Sequence, residues 1–200
     1  MERKLKTWLA AVALAGLALA PARADPLDDA ISAYAQGDYA SALKILRPLA
    51  EHGDAKAQFR LGFMYDSGQG VPRDQAEAAK WYRKAGDQGV MLAQDRLGVM
   101  YLAGQGVAQD FAESTAWFRK ASDQGDDNAQ WQLGDAYAEG RGIAQDNVAA
   151  YMWYSLVVSR SPQSDFHDLA APKRETLAGK MTPDQIAKAQ KLASDWKPNK

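Results

Sequence analysis

Residues 97–110 read LGVMYLAGQGVAQD, with two glycines one residue apart behind a short apolar stretch. A Gly-x-Gly of this kind either cradles a phosphate or turns the chain. A phosphate loop needs a strand before it and, after it, Gly-Lys-Ser/Thr or a third glycine at a set spacing. Here Val107-Ala108-Gln109-Asp110 follows, and the residues in front carry helical periodicity. The glycines therefore turn a corner, and the rest of the chain shows between which elements.

Leu61-Gly62, Leu97-Gly98 and Leu133-Gly134 are each 36 residues apart. Tyr65, Tyr101 and Tyr137 keep the same step, as do Asp74, Asp110 and Asp146, and Trp81, Trp117 and Trp153. Residues 54–89 and 90–125 match at 21 of 36 positions without a gap. Self-similarity at such a period specifies a stack of small units in which each buries its apolar face against the next.

Within one unit Ala57, Leu61 and Tyr65 recur at i, i+4 and i+8, and Ala78, Trp81, Tyr82 and Ala85 at i, i+3, i+4 and i+7. Both are helical spacings, so each unit is a helix hairpin. The first helix stops at Gly68, where a left-handed residue suits glycine. The second starts after Asp74, whose short carboxylate is an N-cap. Gly62 falls mid-helix, where glycine costs about 1 kcal/mol relative to alanine. Its recurrence predicts close approach of a neighbouring helix, and Trp81, Trp117 and Trp153 are predicted to be core.

The pattern Ala-x-x-x-Leu-Gly-x-x-Tyr-x-x-Gly-x-Gly-Val-x-x-Asp-x-x-x-Ala-x-x-Trp-Tyr/Phe-x-Lys-Ala, in three copies over residues 57–160, resembles the Sel1-like repeat, a relative of the tetratricopeptide repeat. The resemblance implies an all-α solenoid of αα-hairpins in a right-handed superhelix, working as an adaptor that binds other proteins without chemistry of its own. Residues 25–53 lack the Gly-x-Gly-Val insertion and read as a plain tetratricopeptide-like hairpin. Repeats follow at 54–89, 90–125 and 126–160, and capping helices at 161–200. The third copy ends in Ser155-Leu156-Val157 where the others have Arg-Lys-Ala, which predicts packing against a capping helix. Thr182-Pro183-Asp184-Gln185 is a capping box with proline at the first helical position, opening the last helix. Pro172 is expected to split residues 161–180 or to start their second part, and Pro198-Asn199-Lys200 to fray.

Placed on such a solenoid, the first helices face the concave side. Taking Leu61, Gly62 and Tyr65 as packing positions turns Lys56, Phe59, Phe63 and Asp66 toward the concavity. The same phase selects Leu92, Asp95, Val99 and Leu102, then Asn128, Trp131, Asp135 and Ala138. Large apolar side chains at these non-repeating positions, Phe59 and Trp131 above all, are expected to stand exposed and mark a protein or peptide partner site. The competing reading has tight curvature burying these apolar side chains, Phe59, Phe63, Val99, Leu102 and Trp131, against neighbouring first helices.

Catalytic signals are sparse. The chain has two histidines and no cysteine, which excludes thiol nucleophiles, Cys-rich zinc sites and a disulfide framework. Glu51, His52 and Asp54 sit at a hairpin corner without metal-ligand spacing. His167-Asp168 with Ser161 or Ser164 lacks a nucleophile elbow. Asp123, Asp126, Asp127 and Asn128 lack the twelve-residue calcium loop and read as a solvated turn. No catalytic residue, metal or cofactor is expected. A cell-envelope hydrolase or a structural homo-oligomer are the alternatives to a monomeric adaptor.

The first residues carry a different signal. Arg3, Lys4 and Lys6 precede a 13-residue apolar run, Trp8–Ala20, and Ala22-Arg23-Ala24 fits the small-x-small rule of signal peptidase. The run is shorter than the roughly 20 residues that span a bilayer. Residues 1–24 therefore read as a cleaved secretory signal, placing the mature protein in a periplasm or outside the cell with no stable membrane insertion. Removing them takes away four basic residues and one acid and leaves 20 Lys+Arg against 24 Asp+Glu. That balance offers no electrostatic footprint for nucleic acid.

Overall fold

The computed structural model describes residues 25–199, and the proposed signal segment lies outside them. Among the described residues ten helices follow one another: α1 (Pro26–Ala35), α2 (Tyr39–Glu51), α3 (Ala55–Ser67), α4 (Gln75–Asp87), α5 (Met91–Ala103), α6 (Phe111–Gln124), α7 (Asp127–Glu139), α8 (Asn147–Arg160), α9 (Asp165–Ala178) and α10 (Pro183–Asp195). Each of α2 to α8 packs on the helix before and after it, and α10 returns to α8. The result is an all-α solenoid of helical hairpins.

Asp74 caps its helix as read from sequence, and Asp54 and Asp126 cap theirs in the same way. Asp54 Oδ1 accepts from Ala57 N at 2.7 Å, Asp74 from Glu77 N at 2.9 Å, and Asp126 from Ala129 N at 2.8 Å. Each such cap contributes about 1 kcal/mol. In the second repeat Val90 stands where the others have aspartate, and α5 begins without a side-chain cap.

The glycines at the opening stretch do two different jobs. Gly98 lies where a β-carbon would come within 2.5 Å of the Phe118 ring, so α5 and α6 can approach only because that atom is missing. Gly62 meets Tyr82 and Gly134 meets Tyr154 in the same way. Gly106 has φ +69°, and a β-carbon there would overlap the backbone of Gln75, at the head of the previous repeat's second helix. The loop thus turns the chain and fastens one hairpin to the next.

Successive hairpins are joined by a recurring set of contacts. Trp81, Trp117 and Trp153 are buried. Lys84 lies 3.9 Å over the Trp81 ring and Lys120 3.8 Å over that of Trp117. Buried Gln58, Gln94 and Gln130 each donate to a carbonyl at the end of the preceding hairpin, on Ala50, Gly86 and Ser122. Arg47, Arg83 and Arg119 each donate to the hydroxyl of a tyrosine 18 residues on, Tyr65, Tyr101 and Tyr137.

At the C-terminal end, Leu156 replaces the lysine over the tryptophan, and Trp196 packs edge-on against Trp153 at 6.2 Å. One expectation is corrected here. Pro172 lies inside a continuous α9, which neither breaks nor restarts there, held by its packing on α8. Beyond α10 the exposed tail makes a backbone contact, the N–H of Asn199 donating to the carbonyl of Asp123 at 2.7 Å.

Candidate partner-binding surface

First helices stand side by side: α5 touches α7, and α7 touches α9, closer than the second helices α4 and α6 approach one another. They therefore line the inner side of the curve. Although it lacks the repeat's sequence, α9 holds the place that the first helix of a fourth hairpin takes. Ala170, 36 residues after Gly134, is buried against α8 accordingly.

The twelve positions predicted to face the concavity divide by depth. Lys56 is exposed, and Leu92 is 50 % exposed, the most open large apolar side chain among the described residues. Phe59 is half-buried with its ring 5.7 Å from that of Tyr82. Phe63 is half-buried, edge-on to Tyr34 at 6.3 Å. Val99 and Leu102 pack partly on the Phe118 cluster. Asp66 and Ala138 are intermediate.

Three positions sit deeper than the helical phase predicts. Trp131, expected to stand exposed, is half-buried. Phe166 of α9 lies 6.1 Å from its ring and Lys173 5.1 Å over it. Asp135 is 5 % exposed, accepts from the Tyr154 hydroxyl at 2.5 Å and pairs with Lys173 Nζ. Asp95 is 8 % exposed and accepts from Asn128 Nδ2 at 2.7 Å. In each case the covering group comes from the next first helix in the row, which a single-helix phase does not contain.

Burial and the neighbouring Asp126 carboxylate raise the Asp95 pKa to about 6. Asp126 itself is raised, mainly by burial. Tyr154 is pushed far up by burial and by the hydrogen bond that its hydroxyl donates to Asp135.

The candidate catalytic clusters resolve into local structure. Ser164 caps α9 and accepts from His167 N at 3.2 Å, while His167 Nδ1 lies 3.1 Å from Asp168 Oδ1 on the helix surface. Among the described residues no three His, Asp or Glu side chains converge as a metal site would require. No described helix is long and apolar enough to cross a membrane.

The Sel1 repeat model matches residues 55–90, 92–126 and 127–156. The chain belongs to the Sel1 repeat family. A Sel1 repeat protein from Oxalobacter formigenes has a similar structure, with 35 % identity and a TM-score of 0.59, over 67 % of this chain and 97 % of that one. Similar too is c5321, a protective antigen of uropathogenic Escherichia coli with the Sel1-like repeat fold. It is 26 % identical with a TM-score of 0.58, over 84 % of this chain and 45 % of that one. No curated protein matches the chain. Sel1 repeat proteins are generally non-catalytic protein-interaction scaffolds.

Proposed function

We propose that this protein is an exported, non-enzymatic adaptor of the cell envelope that holds a segment of a protein partner along its first-helix face. One observation carries the reading. Positions that join the hairpins recur every 36 residues, whereas those on the inner face do not: Lys56, Leu92 and Asn128 share one column, Phe59, Asp95 and Trp131 another. A scaffold needs a constant frame and a surface free to differ from repeat to repeat. The frame is already ordered, so the cost of ordering on binding falls mainly on the partner. With no chemistry of its own, the adaptor acts on its partner by holding it, which makes its role regulatory.

Export rests on the basic residues, apolar run and Ala-x-Ala motif of residues 1–24. Affinity capture from envelope extract tests both parts, with residues 25–200 as bait and a Lys56→Glu, Leu92→Lys double variant as control. Both substitutions fall on exposed side chains, so the control should fold. A protein enriched on the wild type and lost on the folded variant is the expected result. Equal recovery on both baits would move the binding surface away from the first helices.

A further inference from the structure

Asp95 borders an open cavity of about 560 Å³ between α5, the head of α7 and the start of α9. Met91, Arg96, Asp126, Asp127, Asn128 and Phe166 border it too. One oxygen of Asp95 accepts from Asn128, and among the described residues no lysine or arginine forms an ion pair with the carboxylate. Its surroundings are acidic on balance: Asp126 and Asp127 add two carboxylates, and among the described residues exposed Arg96 is the one cation in the lining.

The adjacent repeat shows the same situation filled. Asp135 is equally deep, and there Lys173 brings its ammonium to the carboxylate while lying over the Trp131 ring. A buried carboxylate with a paired cation and an aromatic wall is a complete arrangement; Asp95 has the carboxylate and, in Phe166, a ring across the cavity, while exposed Arg96 borders the cavity without forming an ion pair with it. A charge left so costs the free protein stability, a cost that a basic side chain supplied on binding would offset.

We infer that Asp95 receives a lysine or arginine side chain of a partner segment lying across α5 and α7, with Met91 and Phe166 flanking its aliphatic stem. The inference rests on the first-helix face being the docking surface.

A random dodecapeptide library displayed on phage, selected on the purified protein, tests it. Enriched peptides should carry a lysine or arginine. For such a peptide, Asp95→Asn should weaken binding about tenfold. Replacing a peptide lysine by norleucine, or an arginine by citrulline, should cost the same on wild type and nothing further on the variant, as one shared interaction requires. The variant should also melt higher than wild type at pH 7.5, which separates lost binding from lost folding. Peptides that bind Asp95→Asn as tightly as wild type would overturn the assignment, and if Leu92→Lys still abolishes them the docking face survives. Peptides indifferent to both substitutions, or no enrichment at all, would remove the docking face and the inference with it.

Discussion

The second and third repeats share a frame and differ in how they are finished. In the third, Trp196 closes over Trp153 and Lys173 neutralises Asp135, so the chain's own C-terminal helices supply both a ring and a cation. In the second, Trp117 is covered by its own helix's Lys120 and by Arg83 of the preceding repeat, and Asp95 keeps a single neutral hydrogen-bond donor. Two carboxylates at equal depth therefore mean opposite things. Asp135 ties the cap to the array, whereas Asp95 is a cost that the free protein carries.

The largest effect that separates frame from surface is expected at the shared core. Trp117→Ala should cost about 3–5 kcal/mol, the range for a buried aromatic, and urea unfolding measures it. A loss below about 1 kcal/mol, well under that range, would mean that the tryptophan column is not what joins the hairpins.

Next comes the closed carboxylate. Lys173→Met should destabilise by about 3 kcal/mol at neutral pH by leaving Asp135 buried without its cation. Urea unfolding at pH 7 measures it, and a loss below about 1 kcal/mol, well under the range for a broken buried pair, would mean that Lys173 contributes mainly by packing on Trp131.

Asp95→Asn should do the reverse. Folding raises this carboxyl from 3.8 to about 6, so the folded state disfavours its charged form. The penalty is absent below the unfolded value, grows between about pH 4 and 6 and is complete above 6. A tenfold change in proton affinity between the two states corresponds to about 1.4 kcal/mol, so the variant should be more stable by about 2–3 kcal/mol at pH 7.5. The gain should vanish near pH 4. A variant less stable than wild type at pH 7.5 would erase the contrast with Asp135.

The smallest effect concerns the missing cap. Val90→Asp should give α5 the N-cap that α3 and α7 possess, for a gain of about 0.5–1 kcal/mol in thermal unfolding. No gain would mean that Val90 contributes as much by packing on the Ala93–Leu97 cluster as a cap would.

The frame was legible because its signals are local or strictly periodic. Gly98, Trp117 and Asp110 each announce a role that the 36-residue step multiplies by three. Gln58, Gln94 and Gln130 were equally visible as a periodic column, yet a polar residue in an amphipathic pattern reads as surface until its carbonyl partner is known. The depth of Asp95, Trp131 and Asp135 was not legible, since it depends on helices 33 to 42 residues further along. Asn128 covers the first, Lys173 the other two, and α9 carries none of the repeat's sequence. Pro172 misled for the same reason, because tertiary packing on α8 maintains a helix that local propensity would interrupt.

The most direct measurement is a carbon-detected NMR titration of the Asp95 side-chain carboxyl in the free protein. A midpoint near pH 6 is the expected result and would establish a buried carboxylate without a counter-charge on the open repeat. A midpoint near pH 4 would show that Asp95 is already solvated or paired, and would contradict both the contrast with Asp135 and the basic side chain assigned to it.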